Sequence, residues 1–455
     1  MTITSSVAVD VNLVDPRTGR VRDTLAVTSP AEIEQHVRAA RAASSRWGAR
    51  TPADRAARLL ELAAAIESDL DRFTAAEVAG TGKPLADAQA EVRTAADVIR
   101  FYAGASRAAT APASGHLLPQ RESWVRWEPI GVVACVVPWN YPILMAAWRI
   151  GPALAAGNTV LLKPAETTPD SALLLHELAG TILGPAVLTA VPGDRGTGRA
   201  LVRSDVDMIA FTGSATAGLD VAASAGLRRT SLELGGNCPV LVLPGAPHYA
   251  YAAIVDACVY NAGQSCAAPA RVIAPAECHD EVVAGLAAAM SERRAGVDFG
   301  PLNNADQADR YDRIVSESKG DVVVVAPTEI APDQAGGFWR PGRIIAAAAQ
   351  SDPAVAEEVF GPCLTVQAAE DLDDAVRLAN STPHALAASV WGSDAGRLLR
   401  VAGALNAGEV WVNCHLEQTA ELPHGGRGGS GHGTDLSTIA LTEYQRPKTV
   451  TVRLD

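Results

Sequence analysis

The chain lacks the features that mark several large classes of protein. Its 455 residues include 38 lysines and arginines against 51 acids, a formal net charge of −13, so it has no basic surface of the kind that nucleic-acid binding requires. Residues 1–10 contain no basic start followed by an apolar core, and no secretory signal is predicted. The most apolar stretch, 131–148, is interrupted by Pro138, Asn140 and Pro142, unlike a membrane span. These absences predict a cytoplasmic protein that binds neither nucleic acid nor membranes.

Disulfide, metal and dinucleotide patterns are missing as well. The seven cysteines are an odd number without a CxxC pair, which favours free thiols in a reducing compartment. The nine histidines are scattered and none stands in an HExxH motif, so no metal site is predicted. No GxGxxG motif follows the first predicted strand of the sheet, and 193–198 is a poor match to it.

The composition is sufficient for more than one hydrophobic core. Hydrophobic residues make up 48% of a chain that is longer than one core usually supports, so two or more domains are expected. Most of the first hundred residues are predicted to be helical, and Thr51-Pro52 is typical of a helix start. Apolar residues then recur at helical spacing along one face: Leu59, Leu62, Ile66 and Leu70.

Short apolar runs alternate with helical segments after residue 131. The runs are 132–137, 159–162, 187–191 and 208–211. This order predicts βαβ units and a parallel sheet, which binds ligands at the carboxyl ends of its strands. Polar residues and glycines stand at those ends: Pro138-Trp139-Asn140, 163–166, Pro192-Gly193 and Thr212-Gly213-Ser214. A second α/β region is predicted over 235–433, with strands at 321–326 and 410–413.

Two segments alternate like strands outside these regions. They are 123–127 and the tail 449–452. We expect them to pair with each other or across subunits.

Three residues are candidates for chemistry, and each has a structural alternative. Cys266 ends the polar turn Gly263-Gln264-Ser265-Cys266 and is either a nucleophile or a buried structural thiol. Glu233, in an apolar strand end before two glycines, is either a general base with a pKa raised by burial or a salt-bridged structural residue. Asn140, between two prolines, is either an oxyanion donor or part of an Asx turn.

The order of the motifs along the chain is more specific than any one of them. They are PWNYP at 138–142, KPAE at 163–166, FTGS at 211–214, LELGG at 232–236, GQSC at 263–266 and EEVFGP at 357–362. As a set they resemble the aldehyde dehydrogenase superfamily. The resemblance covers nearly the whole chain, from Asp15-Pro16 to Tyr444.

The resemblance implies an α/β fold with a Rossmann-type parallel-sheet cofactor domain, an α/β catalytic domain and a small β oligomerisation element. The implied NAD-binding domain is 1–110 and 130–234, and the implied catalytic domain is 235–433. Residues 111–129 and 445–455 would be oligomerisation strands, and 434–444 would return to the cofactor domain. Relatives are homodimers or homotetramers, so a homo-oligomer is expected.

The resemblance also implies a mechanism. Cys266 would attack an aldehyde as a thiolate, Asn140 and the Cys266 backbone N–H would stabilise the oxyanion, and Glu233 would activate the water that hydrolyses the thioester. Relatives that transfer the acyl group to coenzyme A lack this base, so the free acid is the expected product. NAD would be the cofactor, since Glu166 would repel a 2′-phosphate by about 4 kcal/mol at a separation of ~4 Å and an effective dielectric of ~20. The implied NAD-binding residues are Trp139, Lys163, Glu166, Gly193, Gly213, Ser214, Leu234, Gly235, Glu358 and Phe360.

The chain departs from the family pattern at three positions. Asn237 and Arg149 stand where many members carry lysine, and Asp435 stands where many carry glutamate. Because arginine does not release its proton near neutrality, a proton relay from Glu233 through these groups is in doubt, and turnover is expected to be modest.

The motif details favour an aminoaldehyde as substrate. Residues 141–148, 422–426 and 430–437 are similar to those of 4-aminobutyraldehyde dehydrogenases. Aromatic residues would form a wall that attracts a cation, and two acids would pair with an ammonium: Tyr141, Trp148 and Tyr260, and Glu417 and Glu421. A neutral aliphatic or aromatic aldehyde is the alternative substrate, and a non-catalytic scaffold or binding protein is the alternative function.

Overall fold

The chain begins with a β-hairpin rather than with a helix. The computed structural model describes residues 10–108 and 112–454, and its first two strands, β1 and β2, pair antiparallel. They are Val11–Asp15 and Arg20–Leu25. The prediction of mostly helix missed this hairpin, because Leu13 and Leu25 are the only buried residues of its two strands and its apolar alternation is weak.

Four helices follow, and the start of the second is as predicted. They are α1 (Pro30–Gly48), α2 (Pro52–Ser68), α3 (Leu70–Thr81) and α4 (Leu85–Ala105). Thr51 caps α2 by accepting a hydrogen bond from the Asp54 backbone N–H. The predicted apolar face of α2 is buried at Leu59, Leu62 and Ile66. Leu70 belongs to α3 instead, because α2 ends two residues earlier.

The predicted parallel sheet is confirmed. Five parallel strands lie in the order β7-β6-β5-β8-β9. The strands are β5 (Val132–Val136), β6 (Thr159–Lys163), β7 (Leu188–Ala190), β8 (Met208–Gly213) and β9 (Arg229–Leu234). The intervening helices are α5 (Pro142–Ala155), α6 (Asp170–Ile182), α7 (Arg195–Arg203) and α8 (Ala215–Ala225). Lys163 and Phe211 both pair with Val136, and Thr212 pairs with Glu233, so the predicted ligand-binding residues share one edge.

A second sheet contains seven strands in the order β12-β13-β14-β11-β10-β16-β17. It is parallel except at its edge, where β12 is antiparallel to β13. The strands are β10 (Cys238–Val242), β11 (Pro269–Pro275), β12 (Asp321–Val325), β13 (Arg343–Ala346), β14 (Cys363–Ala369), β16 (Ala387–Trp391) and β17 (Glu409–Val412). Its helices are α9 (Ala250–Val259), α10 (His279–Ser291), α11 (Ala305–Glu317), α12 (Pro353–Ala356), α13 (Leu372–Ala379) and α14 (Ala395–Ala404). The strands predicted at 321–326 and 410–413 are β12 and β17.

The two isolated segments pair with each other. They form a three-stranded antiparallel sheet in the order β19-β4-β3. Its strands are β3 (Ser114–Leu118), β4 (Arg121–Pro129) and β19 (Gln445–Arg453). The helix α15 (Ser437–Glu443) precedes β19, and the small strands β15 (His384–Ala385) and β18 (Arg427–Gly428) pair beside the site described below.

Apolar side chains are buried on both faces of the two large sheets. Within 10–108 and 112–454, no helix is long and apolar enough to cross a membrane. The predicted segments 1–110, 111–129 and 445–455 extend over 1–9, 109–111 and 455, which lie outside the described residues.

Candidate active site

The chain passes from one large sheet to the other in three residues. The strand β9 ends at Leu234 and β10 begins at Cys238. Gly235, Gly236 and Asn237 form the link, and Asn237 donates from Nδ2 to the Val355 carbonyl at 2.8 Å. The link therefore places Glu233 where the edges of both sheets meet.

The loop before Cys266 has an unusual backbone. Asn261, Ala262 and Gly263 are consecutive residues with φ of 50°, 55° and 73°, a conformation that non-glycine residues rarely adopt. A Cβ at Gly263 would meet the Gly361 carbonyl, so only glycine allows this close approach. Gln264 fixes the loop by accepting at Oε1 from the Asn303 N–H at 2.8 Å. Cys266 follows and is partly exposed.

Asn140 is bound to the same loop. Its Nδ2 donates to the Gln264 carbonyl at 2.9 Å, and its own carbonyl accepts from Asn261 Nδ2 at 2.8 Å. One hydrogen of the amide is therefore used for positioning and the second is available for a ligand. The rigid loop and the amide form a potential oxyanion site next to the cysteine.

Glu233 is a buried carboxylate without a tight partner. It is 3% exposed, and among the described residues neither of its oxygens accepts a hydrogen bond of normal geometry. Burial, and next the negative charge of Asp435, raise the pKa of Glu233, while Arg149 opposes the rise. A carboxylate in this state is suited to general-base chemistry nearer neutrality.

Two of the three departures from the family pattern pair with each other. Arg149 Nη1 lies 3.1 Å from Asp435 Oδ1, and the two side chains are 0% and 1% exposed. Arg149 also donates to Ser231 Oγ at 2.9 Å and to Thr212 Oγ1 at 2.9 Å. These contacts fix a buried cation whose charge acts on Glu233.

The environment of Cys266 favours the protonated thiol. Burial raises the pKa of Cys266 well above its usual value, and the neighbouring Cys238 and the carboxylates of Glu358, Glu233 and Glu409 raise it further. A thiolate at this position therefore requires a group that accepts its proton.

The predicted cofactor residues lie along the edge of the parallel sheet. Lys163 Nζ is 3.5 Å from Glu166 Oε2, with the lysine side chain buried and the glutamate one-third exposed. Ser214 caps α8 through its hydroxyl, which leaves the helix N-terminus available to an anion. Gly193 has φ 150°, and a Cβ there would collide with Thr197.

The EEVFGP loop lies across the link between the sheets. Glu358 Oε1 accepts from the Gly236 N–H at 2.9 Å, and a Cβ at Gly235 would meet the Glu358 carboxylate. Burial raises the pKa of Glu358 to about 7. Phe360 contacts Trp139 edge to face, with ring centroids 5.5 Å apart. The structure thus brings Trp139, Gly235, Glu358 and Phe360 together, with Leu234 directly before the link.

Cys266 opens into a cavity of about 170 Å³. The aromatic residues predicted for the substrate line it: Tyr141, Trp148 and Tyr260. Glu417 and Glu421 are not among the residues that line it, and both are exposed, so their contact with a substrate ammonium stays a prediction. Trp411 Nε1 donates to the Glu417 carbonyl at 3.0 Å, and this bond fixes the loop with Leu416 and Gln418 toward the cavity instead.

A buried charge cluster beside the cavity was not predicted from the sequence. Glu77, Lys83 and Glu91 are 1%, 3% and 3% exposed. Lys83 pairs with Glu91 and lies 4.7 Å from the centroid of the Tyr141 ring. Glu91 lines the cavity. The signal was available, because Glu91 falls on the apolar face of α4 at helical spacing from Ala88.

His424 was also missed as a neighbour of the cysteine. Its Nε2 lies 4.0 Å from Cys266 Sγ and its Nδ1 lies 3.0 Å from Glu409 Oε2. Nothing in the local sequence indicates this contact, since 158 residues separate His424 from Cys266. A search for groups of three or more metal-ligating side chains within the described ranges returns none.

The chain matches known proteins over almost its whole length. Residues 3–450 match the model of the Aldehyde dehydrogenase family. Aminoacetaldehyde dehydrogenase of Pseudomonas aeruginosa is 35% identical over 460 residues, 96% of this chain and 91% of that protein.

Solved structures agree in the fold. Gamma-glutamyl-gamma-aminobutyraldehyde dehydrogenase from Burkholderia cenocepacia superposes with a TM-score of 0.92 at 35% identity, covering 98% of this chain and 94% of that one. A variant of the indole-3-acetaldehyde dehydrogenase from P. syringae, in complex with NAD+ and IAA, superposes with a TM-score of 0.93 at 29% identity, covering 98% and 93%. The chain belongs to the aldehyde dehydrogenase family.

Proposed function

We propose that this chain oxidises an aldehyde to the free carboxylic acid with NAD, through a thioester on Cys266. The observation that carries the proposal is the convergence of Cys266 and Asn140 on one rigid loop, with the cysteine open to a cavity. Glu233 supplies the buried carboxylate that such a reaction needs for hydrolysis.

The residues present fit NAD, the cofactor bound in the structure of the indole-3-acetaldehyde dehydrogenase. Lys163 and Glu166 would hold the adenine-side ribose, and Ser214, Gly213 and Gly193 would approach the adenine and pyrophosphate. The Glu358 carboxylate occupies the space that a Cβ at Gly235 would fill, so glycine at this position lets the carboxylate approach the link. Glu358 would hold the nicotinamide ribose, with Phe360 and Trp139 packed beside it. When bound, NAD accepts a hydride from the substrate carbon.

The protein groups divide the chemistry between them. Cys266 as thiolate adds to the carbonyl carbon, and the π electrons move to the oxygen. The free Nδ2 hydrogen of Asn140 and the Cys266 backbone N–H then stabilise the oxyanion, each donor contributing about 3–4 kcal/mol. After oxidation, Glu233 takes a proton from water, whose oxygen attacks the thioester and expels the sulfur.

Arg149 does not relay the proton that Glu233 receives. Its guanidinium is paired with Asp435 and hydrogen-bonded to Ser231, and arginine does not deprotonate near neutrality. We propose that Arg149 acts by its charge, limiting how far burial raises the pKa of Glu233. The proton therefore leaves Glu233 by solvent.

For the substrate we propose an aminoaldehyde, as in the names of the aminoacetaldehyde and gamma-glutamyl-gamma-aminobutyraldehyde dehydrogenases. The residues that support this class are the aromatic Trp148 and Tyr260 and the acidic Glu91, which line the cavity. An ammonium on an aromatic face gains about 0.5–2 kcal/mol.

A neutral aldehyde is the second candidate, and one observation favours it. Glu91 is already paired with Lys83, and the ammonium of Lys83 already lies over the Tyr141 ring. Two of the cation-attracting groups are therefore partly neutralised before a substrate enters.

We also propose the domain division 1–110 with 130–234 for the cofactor, 235–433 for catalysis, and 111–129 with 445–455 for a homo-oligomer. Each large sheet falls within one of these units. The outer edges of β3 and β19 have no partner strand in the described part of the chain, and such edges favour pairing between subunits.

The test is NAD reduction with 4-aminobutyraldehyde, its neutral isostere pentanal, benzaldehyde and a carboxylated aldehyde. Wild type should reduce NAD, release free acid and show an acyl adduct on Cys266 in quenched samples, and Cys266→Ala should do none of these. A kcat/KM for 4-aminobutyraldehyde about tenfold or more above that for pentanal, the ratio that a cation–π contact of about 1.4 kcal/mol would give, supports the aminoaldehyde.

A kcat/KM for pentanal that exceeds the value for 4-aminobutyraldehyde assigns the neutral substrate. No NAD reduction with any aldehyde, together with no adduct, would overturn the proposed reaction and leave a binding protein.

A further inference from the structure

A line of polar side chains leads away from Cys266 and has no role in the mechanism above. Cys266 Sγ lies 4.0 Å from His424 Nε2, and His424 Nδ1 lies 3.0 Å from Glu409 Oε2. The Gln418 amide nitrogen lies 3.0 Å from His424 Nδ1 and donates to the same glutamate oxygen at 3.2 Å, so Glu409 Oε2 is the acceptor that the amide and Nδ1 share. A carboxylate at Nδ1 holds the proton on that nitrogen, which leaves Nε2 as the acceptor facing the sulfur.

The histidine is fixed on every side. Its side chain is 2% exposed, and its backbone N–H and carbonyl both pair with Asp435, at 2.8 and 2.7 Å. Its ring contacts Trp148, with centroids 5.1 Å apart. The direction of Nε2 toward Cys266 is therefore set by packing as well as by Glu409.

We propose that His424 is the base that takes the thiol proton of Cys266, with Glu409 as the residue that positions it. The proposal rests on the reaction proposed above and adds a residue to it. A separation of 4.0 Å is within the range of nucleophile–base pairs before substrate binds, which tighten in the productive complex.

The proposed step transfers one proton from sulfur to nitrogen and changes no oxidation state. The S–H bond breaks, its electron pair stays on sulfur, and the proton forms a bond to Nε2. The thiolate then forms the S–C bond to the aldehyde. The imidazolium beside Glu409 later gives its proton to solvent, which reaches the line at the exposed Gln418.

Charged groups on several elements surround His424 and Cys266. Glu409 lies on β17, and Asp435 lies across the paired backbone. Glu233 on β9 acts on the same sulfur, while the Arg149 cation on α5 opposes these acids through its pair with Asp435. Burial and the carboxylates raise the pKa of Cys266, so proton transfer to an adjacent base is the accessible route to the thiolate.

The test is the rate of Cys266 alkylation by iodoacetamide, followed by mass spectrometry from about pH 6 to about pH 10, with and without NAD. His424→Phe keeps a ring against Trp148 and removes the base. We expect its rate at pH 7 to fall at least about tenfold and to rejoin the wild-type rate at high pH. Glu409→Gln should shift the profile in the same direction by a smaller amount. His116→Phe, an equal change on an exposed residue of β3, should leave the profile unchanged.

Two results would overturn the proposal. One is a wild-type profile in His424→Phe; the other is a drop of equal size at every pH, as expected if the ring only packs. Should His424→Phe not fold, Glu409→Gln decides by the same criteria. Cys266 adducts and NAD reduction in wild type test the reaction separately, so the loss of His424 as base would leave the proposed function intact.

Discussion

The change Asp435→Asn tests the buried ion pair, because it keeps the shape of the side chain and removes its charge. Arg149 then remains fully buried, with its hydrogen bonds to Ser231 and Thr212 but without a counter-ion. Removing one partner of a buried pair costs about 3–5 kcal/mol. An unfolding entropy of about 2.1 cal/mol/K per residue gives about 1 kcal/mol/K for this chain, so Tm should fall by about 3–5 °C.

The same change should alter catalysis in a defined direction. Asp435 raises the pKa of Glu233 and Arg149 lowers it, so without Asp435 the Glu233 pKa falls. Because the ionised form is the active base, the acidic limb of the kcat profile should move to lower pH.

The assay combines calorimetry with steady-state kinetics across pH. The matched control is Arg149→Met with Asp435→Asn, which leaves no unpaired charge and should recover most of the lost stability. An unchanged Tm in Asp435→Asn together with an unmoved acidic limb would refute the reasoning.

Three further changes test the site. Glu233→Gln should give a burst of NADH equal to the enzyme concentration, followed by steady-state turnover lowered by about 10²–10⁴-fold. Stopped-flow measurement of NADH checks this. A burst slowed as much as the steady-state turnover would contradict a role in hydrolysis alone. Since burial raises the pKa of Glu233, the wild-type kcat should fall on acidification at a higher pH than an ordinary glutamate would produce. Gly235→Ala should displace Glu358 and raise KM for NAD roughly tenfold, with alkylation of Cys266 unchanged as the control. Glu417→Gln should leave KM for aminoaldehydes at the wild-type value, since the residue lies outside the cavity.

The sequence predicted the large sheets because their strands are continuous buried runs. Strands β5 and β6 are apolar along nearly their whole length, as burial on both faces requires. The hairpin at β2 escaped prediction because five of its six residues keep some exposure, so the sequence RVRDTL carries no alternation that burial would impose. Strands were therefore predicted correctly where burial on both faces requires a continuous run of apolar residues.

The residues at the catalytic centre were predicted by motif and not by geometry. Cys266, Asn140 and Glu233 each had a structural alternative until the order of motifs joined them. Contacts between loops leave no periodic pattern in the sequence. His424 and Glu409 lie 15 residues apart, and the backbone pairing of His424 with Asp435 helps to hold them together. The position of Glu417 outside the cavity lining has the same origin, since Trp411 holds that loop through the Glu417 carbonyl.

The three-residue link between the sheets has a consequence for the timing of the reaction. Glu233 is carried by the last strand of one sheet, while Cys266 precedes the strand β11 of the other. The sulfur that would carry the acyl group and the carboxylate that would release it thus belong to different sheets. Only three residues join these sheets at this point of the chain. Any rotation of one sheet relative to the other about Gly235 and Gly236 would therefore change the distance between the Glu233 carboxylate and the Cys266 sulfur.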